Sequence, residues 1–223
     1  MAVTFAFDVY GTLIDTHGVV AKLGEIVGDR ARHFSATWRD KQLEYSFRRG
    51  LMQNYENFAV CTRDALDYTC SRYATDMTPG QKQSLLDVYR ELPAFDDVRD
   101  ALTDLSARDC RPYAFSNGSE EAVETLLSAA GIRDLFHGVV SCDDLRTFKP
   151  NPAVYAYFLT RAQASASESW LISGNPFDVI GAISAGMRGA WVQRSADALF
   201  DPWGIEPTVT VKSLGELADS IGM

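Results

Sequence analysis

The sequence predicts an α/β fold, a doubly wound parallel sheet with a block of helices inserted after its first strand. Three observations lead there. A β-branched and aromatic run, Val3-Thr-Phe-Ala-Phe7, stops abruptly at Asp8 and reads as a buried strand. Strand signals then vanish from about residue 18 to residue 90, where four helical stretches follow one another. Beyond Pro93, strands alternate with helices, as they do where parallel strands are joined by right-handed crossovers.

In chain order, Gly11 and Thr12 supply turn chemistry after the first strand. Helices are expected at 18 to 27, 31 to 48, 57 to 74 and 79 to 91. The third, from Asn57, places apolar residues at i, i+3, i+4 and i+7, the stripe of an amphipathic helix. Then come helix 96 to 108, strand 111 to 116, helix 119 to 130, strand 137 to 141, helix 152 to 164, strand 169 to 173, helix 176 to 186 and strand 189 to 193. A short strand at 208 to 211 and a helix from 213 close the chain. Residues 1–14 and 93–223 should form a Rossmann-like core domain, with 15–92 as a helical-bundle cap.

Composition narrows the function. With 21 Lys+Arg against 30 Asp+Glu, the formal net charge of -9 argues against a sequence-independent grip on nucleic acid or anionic lipid. A small anionic substrate held by a few local cations stays open. Cys61, Cys70, Cys110 and Cys142 form no CxxC pair and none lies at ligand spacing from a histidine, so neither zinc nor a disulfide framework is expected. Reduced thiols suit a reducing compartment. No stretch approaches the ~20 apolar residues of a membrane span, and Asp8 interrupts the first apolar run, so no signal peptide is expected; the cytoplasm is the expected location.

Open parallel sheets bind ligands outside the carboxyl ends of their strands. The residues expected there are Asp8-Val9-Tyr10-Gly11-Thr12, Ser116-Asn117-Gly118, Lys149-Pro150 and Ser173-Gly-Asn-Pro-Phe-Asp178. An acid at the end of so apolar a strand needs a partner, since a bare buried carboxylate takes up a proton. A cation such as Lys149 would keep Asp8 ionised and nucleophilic.

These four motifs resemble the haloacid dehalogenase superfamily along nearly the whole chain. Within it, Phe7-Asp8-Val9-Tyr10-Gly11-Thr12-Leu13 and Trp38-Arg39-Asp40-Lys41-Gln42-Leu43-Glu44-Tyr45 look like the (S)-2-haloacid dehalogenases. Phosphatase members of the superfamily carry a second Asp two positions after the nucleophile, which protonates the leaving alkoxide, and an acid in the last motif that completes a magnesium site. Here the first position is Tyr10, a poor acid at neutral pH, and Ser173 to Phe177 are uncharged. A hard dication would find too few carboxylates, so no metal and no cofactor are expected. A halide leaving group needs no proton.

The resemblance implies that Asp8 attacks C2 of a 2-haloalkanoate, expels halide with inversion and forms an ester that water hydrolyses to an (R)-2-hydroxy acid. Arg39 would receive the halide, although most helical arginines are solvated charges. Asn117 would assist it with an amide donor, and Phe177, where the family often has Trp, would supply a dry wall. Ser116 and the backbone N–H groups of Val9 and Tyr10 would cradle the substrate carboxylate. Thr12 would fix the Asp8 rotamer, and Lys149 would pair with Asp8 rather than lie on the surface as most lysines do. Ser173, Asn175 and Asp178 would position Lys149 and the hydrolytic water; which group deprotonates that water stays open, with Asp178 one candidate. Asn175 and Pro176 also read as the cap and first residue of a helix. Tyr155 matches a family tyrosine near the site, and Tyr10, Leu43 and Phe58 would line the apolar part of the pocket.

Two other functions compete. One is a magnesium-dependent phosphatase or phosphomutase of small metabolites on the same fold; the other is a catalytically silent relative that binds a small carboxylate. The expected partners are a small anionic 2-haloacid and halide, without nucleic acid or membrane. Family members are often homodimers, and the apolar faces of the cap helices would allow one.

Overall fold

The computed structural model describes residues 2–223. Six strands form one parallel sheet: β1 (Val3–Asp8), β2 (Cys110–Ser116), β3 (Gly138–Ser141), β4 (Ser169–Ser173), β5 (Arg188–Val192) and β6 (Val209–Val211), in the order β3-β2-β1-β4-β5-β6. Every strand of the expected alternation is present, and the order reverses at β1, the topological switch where such sheets open a crevice. The register brings the strand ends level: Phe7 pairs with Ile172, Asp8 with Phe115 and Ser116 with Ser141. Asp8, Ser116 and Ser173 thereby share one edge.

Alternation along β1 divides the core. Phe5 and Phe7 point to the face covered by α5 (Val98–Ser106), α6 (Glu120–Ala129) and α9 (Leu217–Ser220). Ala6 faces α7 (Pro152–Ala162) and α8 (Pro176–Ser184), where it packs with Phe115, Tyr155, Phe158 and Leu171. Both phenylalanines are fully buried, each contributing about 1.5–3 kcal/mol relative to exposure. Period two also turns Asp8 toward the face that carries Tyr155 and Asp178.

Between β1 and α5 lie α1 (Val19–Val27), α2 (Ala31–Met52), α3 (Phe58–Arg72) and α4 (Pro79–Val88). Local signals set their starts. Asn57 accepts from Val60 N–H, and Thr78 with Gln81 closes a reciprocal capping box ahead of Pro79. The block sits over the strand ends. Phe47 of α2 packs on Phe177 with ring centroids 5.0 Å apart, and Phe58 of α3 packs on Tyr10 at 6.0 Å and on Phe148 at 6.2 Å.

Several boundaries differ from expectation. α2 runs to Met52 rather than 48, continuing through Gly50, where a Cβ would meet only ordinary contacts, 3.5 Å from Thr147 Oγ1 and 3.8 Å from Phe148. The helix ends at Gln53 in the left-handed region, φ 55°. α4 stops at Val88, where Arg90 and Glu91 tighten into i→i+3 turns before Pro93. The expected helix from 213 is a 3₁₀ turn, Leu214–Glu216, followed by the single turn α9. All four cysteines are buried and unpaired, and no helix is long and apolar enough to cross a membrane among the described residues.

Candidate active site

Asp8 is 8% exposed and its two oxygens have different company. Oδ2 accepts from Thr12 Oγ1 at 2.7 Å, from Asn175 Nδ2 at 2.7 Å and from Ser173 Oγ at 3.3 Å. Oδ1 meets only Lys149 Nζ, at 3.1 Å, among the described residues. Thr12 donates because an ionised carboxylate only accepts, and its Oγ1 in turn accepts from Gly174 N–H at 2.8 Å.

Lys149 is 1% exposed, so the surface role common to lysines does not hold. Besides Asp8, Nζ donates to Asp178 Oδ2 and to the Phe115 carbonyl, both at 2.8 Å, and lies 4.2 Å from the Phe115 ring centroid. Burial alone would push its pKa down; Asp178 and Asp8 outweigh burial and hold it above the ordinary lysine value. Asp178 is wholly buried, and Tyr155 donates to its Oδ1 at 2.8 Å. Burial raises the Asp178 carboxyl to about 6, with the Lys149 charge pulling it back and Asp8 adding to the rise. The Tyr155 hydroxyl is pushed well up by burial and by Asp178.

Asn175 stands at the N-cap position of α8 ahead of Pro176, yet its side chain makes no cap bond. It donates to Asp8 and, at 3.1 Å, to the Tyr10 carbonyl. The expected cap position holds, but the side chain serves Asp8 instead of the helix: Asp8 competes for the amide and wins. Ser173 is buried, and its Oγ accepts from Asn175 N–H.

On α2, Arg39 Nη2 donates to the Tyr10 carbonyl at 3.2 Å and Nη1 to Gln42 Oε1 at 2.6 Å. It lines a cavity of about 500 Å³ with Gly11, Tyr89 and Asn175. Leu43 and Phe47 follow Arg39 at i+4 and i+8 on one helix face; Leu43 is half-buried, and Phe47 meets Phe177, which is half-buried too. Tyr10 and Phe58 line a second cavity of about 60 Å³ with Gln42, Thr62, Tyr89 and Gly118. The Tyr10 hydroxyl is pushed up to about 12 by burial and by Tyr89, against Arg39.

The Asn117 oxygen accepts from Lys149 N–H at 2.9 Å, which holds the lysine loop and leaves the amide's Nδ2 as a donor. Ser116 Oγ accepts from Gly118 N–H at 3.1 Å, leaving its proton for a ligand. The turn after β1 is closed by Thr12, Leu13 and Ile14 N–H groups on the Val9 carbonyl, with Val9 fully buried.

Sequence reasoning assigned no role to Gln42 or Gly174, although both lie in segments it singled out, and missed Tyr89, Arg194 and Gly181. Arg194 grips the Thr12 carbonyl through Nε at 3.1 Å and Nη2 at 2.6 Å while its Nη1 bridges both Asp97 oxygens, 97 positions away. No local pattern signals such a pair. A Cβ at Gly174 would lie 2.4 Å from the Gly11 carbonyl, and one at Gly181 would lie 2.4 Å from Tyr155 Oη, so both glycines are close-approach positions. Gln42 had a legible signal, a polar residue one turn from Arg39 on a helix face turned inward.

The donors around Asp8 suit an organic anion better than a hard dication. Asp8 and Asp178 already share an ammonium, hydroxyls and an amide, and no group of three or more His, Cys, Asp or Glu side chains gathers at metal-binding distance among the described residues.

A strand-end aspartate at the switch point of a six-stranded parallel sheet, paired to a buried lysine and overlaid by helices, marks the candidate active site of an α/β protein. The sequence profile of the haloacid dehalogenase-like hydrolases matches residues 3–186, and the chain belongs to that family. It is 37% identical over 209 residues to the (S)-2-haloacid dehalogenase of Pseudomonas sp. (strain YL), covering 94% of this chain and 90% of that one. Haloacetate dehalogenase H-2 of Moraxella sp. (strain B) is 35% identical, covering 98% and 97%. The structure of L-2-haloacid dehalogenase from Xanthobacter autotrophicus with chloropropionic acid covalently bound superposes with a TM-score of 0.93 at 29% identity, covering 100% of both chains.

Proposed function

We propose that the protein hydrolyses (S)-2-haloalkanoates to (R)-2-hydroxyalkanoates and halide through an ester on Asp8, without a metal. The observation that carries this reading is the asymmetry at Asp8 combined with Tyr10 two residues on. Oδ1, with one ionic partner, is the oxygen free to attack C2; Oδ2, with three donors, remains the carbonyl oxygen of the ester. Tyr10 is a poor general acid at neutral pH, and a halide requires no proton.

Residues 15–92 act as the cap that closes over this edge. Ser116 and the backbone at Val9 and Tyr10 hold the substrate carboxylate, Arg39 receives the halide, and Asn117 and Phe177 complete the wall. Tyr10, Leu43 and Phe58 border the alkyl group. In the second step water adds to the Asp8 carbonyl carbon, and the charge that develops on Oδ2 meets the Thr12, Asn175 and Ser173 donors already in place. Each Asp178 oxygen accepts one hydrogen bond and keeps a lone pair, so the carboxylate takes the water's proton while Lys149 and Tyr155 hold it; the bond from the Asp8 carbonyl carbon to Oδ1 then breaks, and that proton goes to the hydroxy-acid oxygen that leaves. The relatives named as (S)-2-haloacid dehalogenases support the substrate class. Four buried thiols favour a cytoplasmic setting, and the exposure of Leu51 and Met52 at the end of α2 favours a homodimer, which light scattering tests.

Halide release from (S)- and (R)-2-chloropropionate, with and without chelator, tests the reading. Release from the (S) form alone, unaffected by chelator, is expected. Chelator-sensitive hydrolysis of an aryl phosphate without halide release would establish the phosphatase instead.

A further inference from the structure

We propose that Gln42 and Thr62 form a positioning relay that aims the Arg39 guanidinium at the departing halide; the inference rests on the dehalogenase reading. Gln42 is 0% exposed in the middle of α2, a costly place for an amide unless both its ends are bonded. Thr62 decides which end goes where. Its Oγ1 donates to the Phe58 carbonyl one turn back at 2.8 Å, so its proton is committed. Oγ1 can then only accept, and it does so from Gln42 Nε2 at 2.5 Å. The amide's donor end is thus held toward α3, which leaves its oxygen for Arg39 Nη1 at 2.6 Å.

The other guanidinium nitrogen is tied to the Tyr10 carbonyl, which also accepts from Asn175. Arg39 is therefore fixed from both sides, by α3 through Gln42 and by the nucleophile's own turn. A neutral amide does this without cancelling the charge that the halide needs. When the carbon–halogen bond breaks, its electron pair leaves with the halide, the Asp8 Oδ1 pair makes the new C–O bond, and no proton moves. A poorer leaving group leans harder on a pre-aimed donor. A relay that aims Arg39 shows itself in the dependence on leaving group, whereas a side chain that only fills space slows all substrates alike.

The test is the single-turnover rate of halide release from (S)-2-bromo- and (S)-2-chloropropionate in Gln42→Leu, Thr62→Val and Thr62→Ser, with thermal unfolding of each. Gln42→Leu should slow the chloride reaction about tenfold to hundredfold and the bromide reaction less, widening their ratio. Thr62→Val, nearly isosteric, should widen it in the same direction, and Thr62→Ser, which keeps the hydroxyl, should restore it. If Gln42→Leu does not fold, the Thr62 pair decides alone. An unchanged bromide-to-chloride ratio in the variants that fold, beside an active wild type, overturns the relay; a wild type that releases no halide overturns the dehalogenase reading itself.

Discussion

Replacing Lys149 by Met keeps the length and apolar stem of the side chain and removes its charge. In the wild type, that ammonium donates to Asp8, Asp178 and the Phe115 carbonyl while 1% exposed. Removing one member of a buried ionic cluster costs about 3–5 kcal/mol, because the charges left behind have neither partner nor water. At 1.36 kcal/mol for each pH unit, that cost moves the proton uptake of Asp178 upward by ~2–4 pH units. A carboxyl whose folded pKa lies above its unfolded value binds more protons in the folded state, so its effect on stability worsens as pH rises through the interval between the two. The wild-type Asp178 already lies in this sense, at about 6 against 3.8, and the variant extends the interval upward. Lys149 has the opposite sense: its raised pKa contributes stability that is fully present below the ordinary lysine value and lost only in strong alkali. Urea unfolding should therefore find Lys149→Met destabilised by about 3–5 kcal/mol near pH 8 and by much less near pH 5, where protonation relieves the penalty. Halide release should fall by a factor of about 100 or more. Equal destabilisation at the two pH values would refute the placement of Lys149 between two ionised carboxylates.

Three other outcomes follow from the same geometry. In the wild type, hydrolysis of the ester should weaken as pH falls through about 6, where Asp178 takes up its proton, and a pH profile of kcat checks this. Tyr155→Phe removes a donor that favours the ionised Asp178, so that acid limb should move to higher pH, with a stability loss of about 1–3 kcal/mol in urea. Gly174→Ala would place a Cβ 2.4 Å from the Gly11 carbonyl and must push the two backbone turns apart; thermal unfolding should show a loss of about 1–3 kcal/mol, and kcat should fall because Thr12 loses its Gly174 partner.

The sheet was legible because its signals are local. The run from Val3 to Phe7 alternates between two buried faces, and the turn and cap residues at Asn57, Thr78, Ser119 and Asn151 start helices where they stand. The site was legible where chemistry breaks pattern, at Asp8 ending an apolar strand, whereas Lys149 reads locally as a surface lysine and stood out only through its place after a strand in a Lys-Pro pair matching a family motif. What sequence could not carry was pairing at long range. Arg194 with Asp97 and Thr12 depends on three segments meeting, and Gly181 is required only because Tyr155 crosses beside it. Asn175 illustrates competition between levels: its local preference is to cap α8, and a carboxylate from β1 captures it instead.

The central claim is that Asp8 itself becomes the ester. A single turnover with enzyme in excess over (S)-2-chloropropionate, run in heavy-oxygen water and followed by mass spectrometry of the Asp8 peptide and the product, tests it most directly. Attack by Asp8 Oδ1 gives the product an oxygen from the protein, so the first-turnover hydroxy acid should be unlabelled and the Asp8 carboxylate should gain one heavy oxygen. Label in the first-turnover product with none on Asp8 would mean that water displaces the halide directly, and would contradict the account.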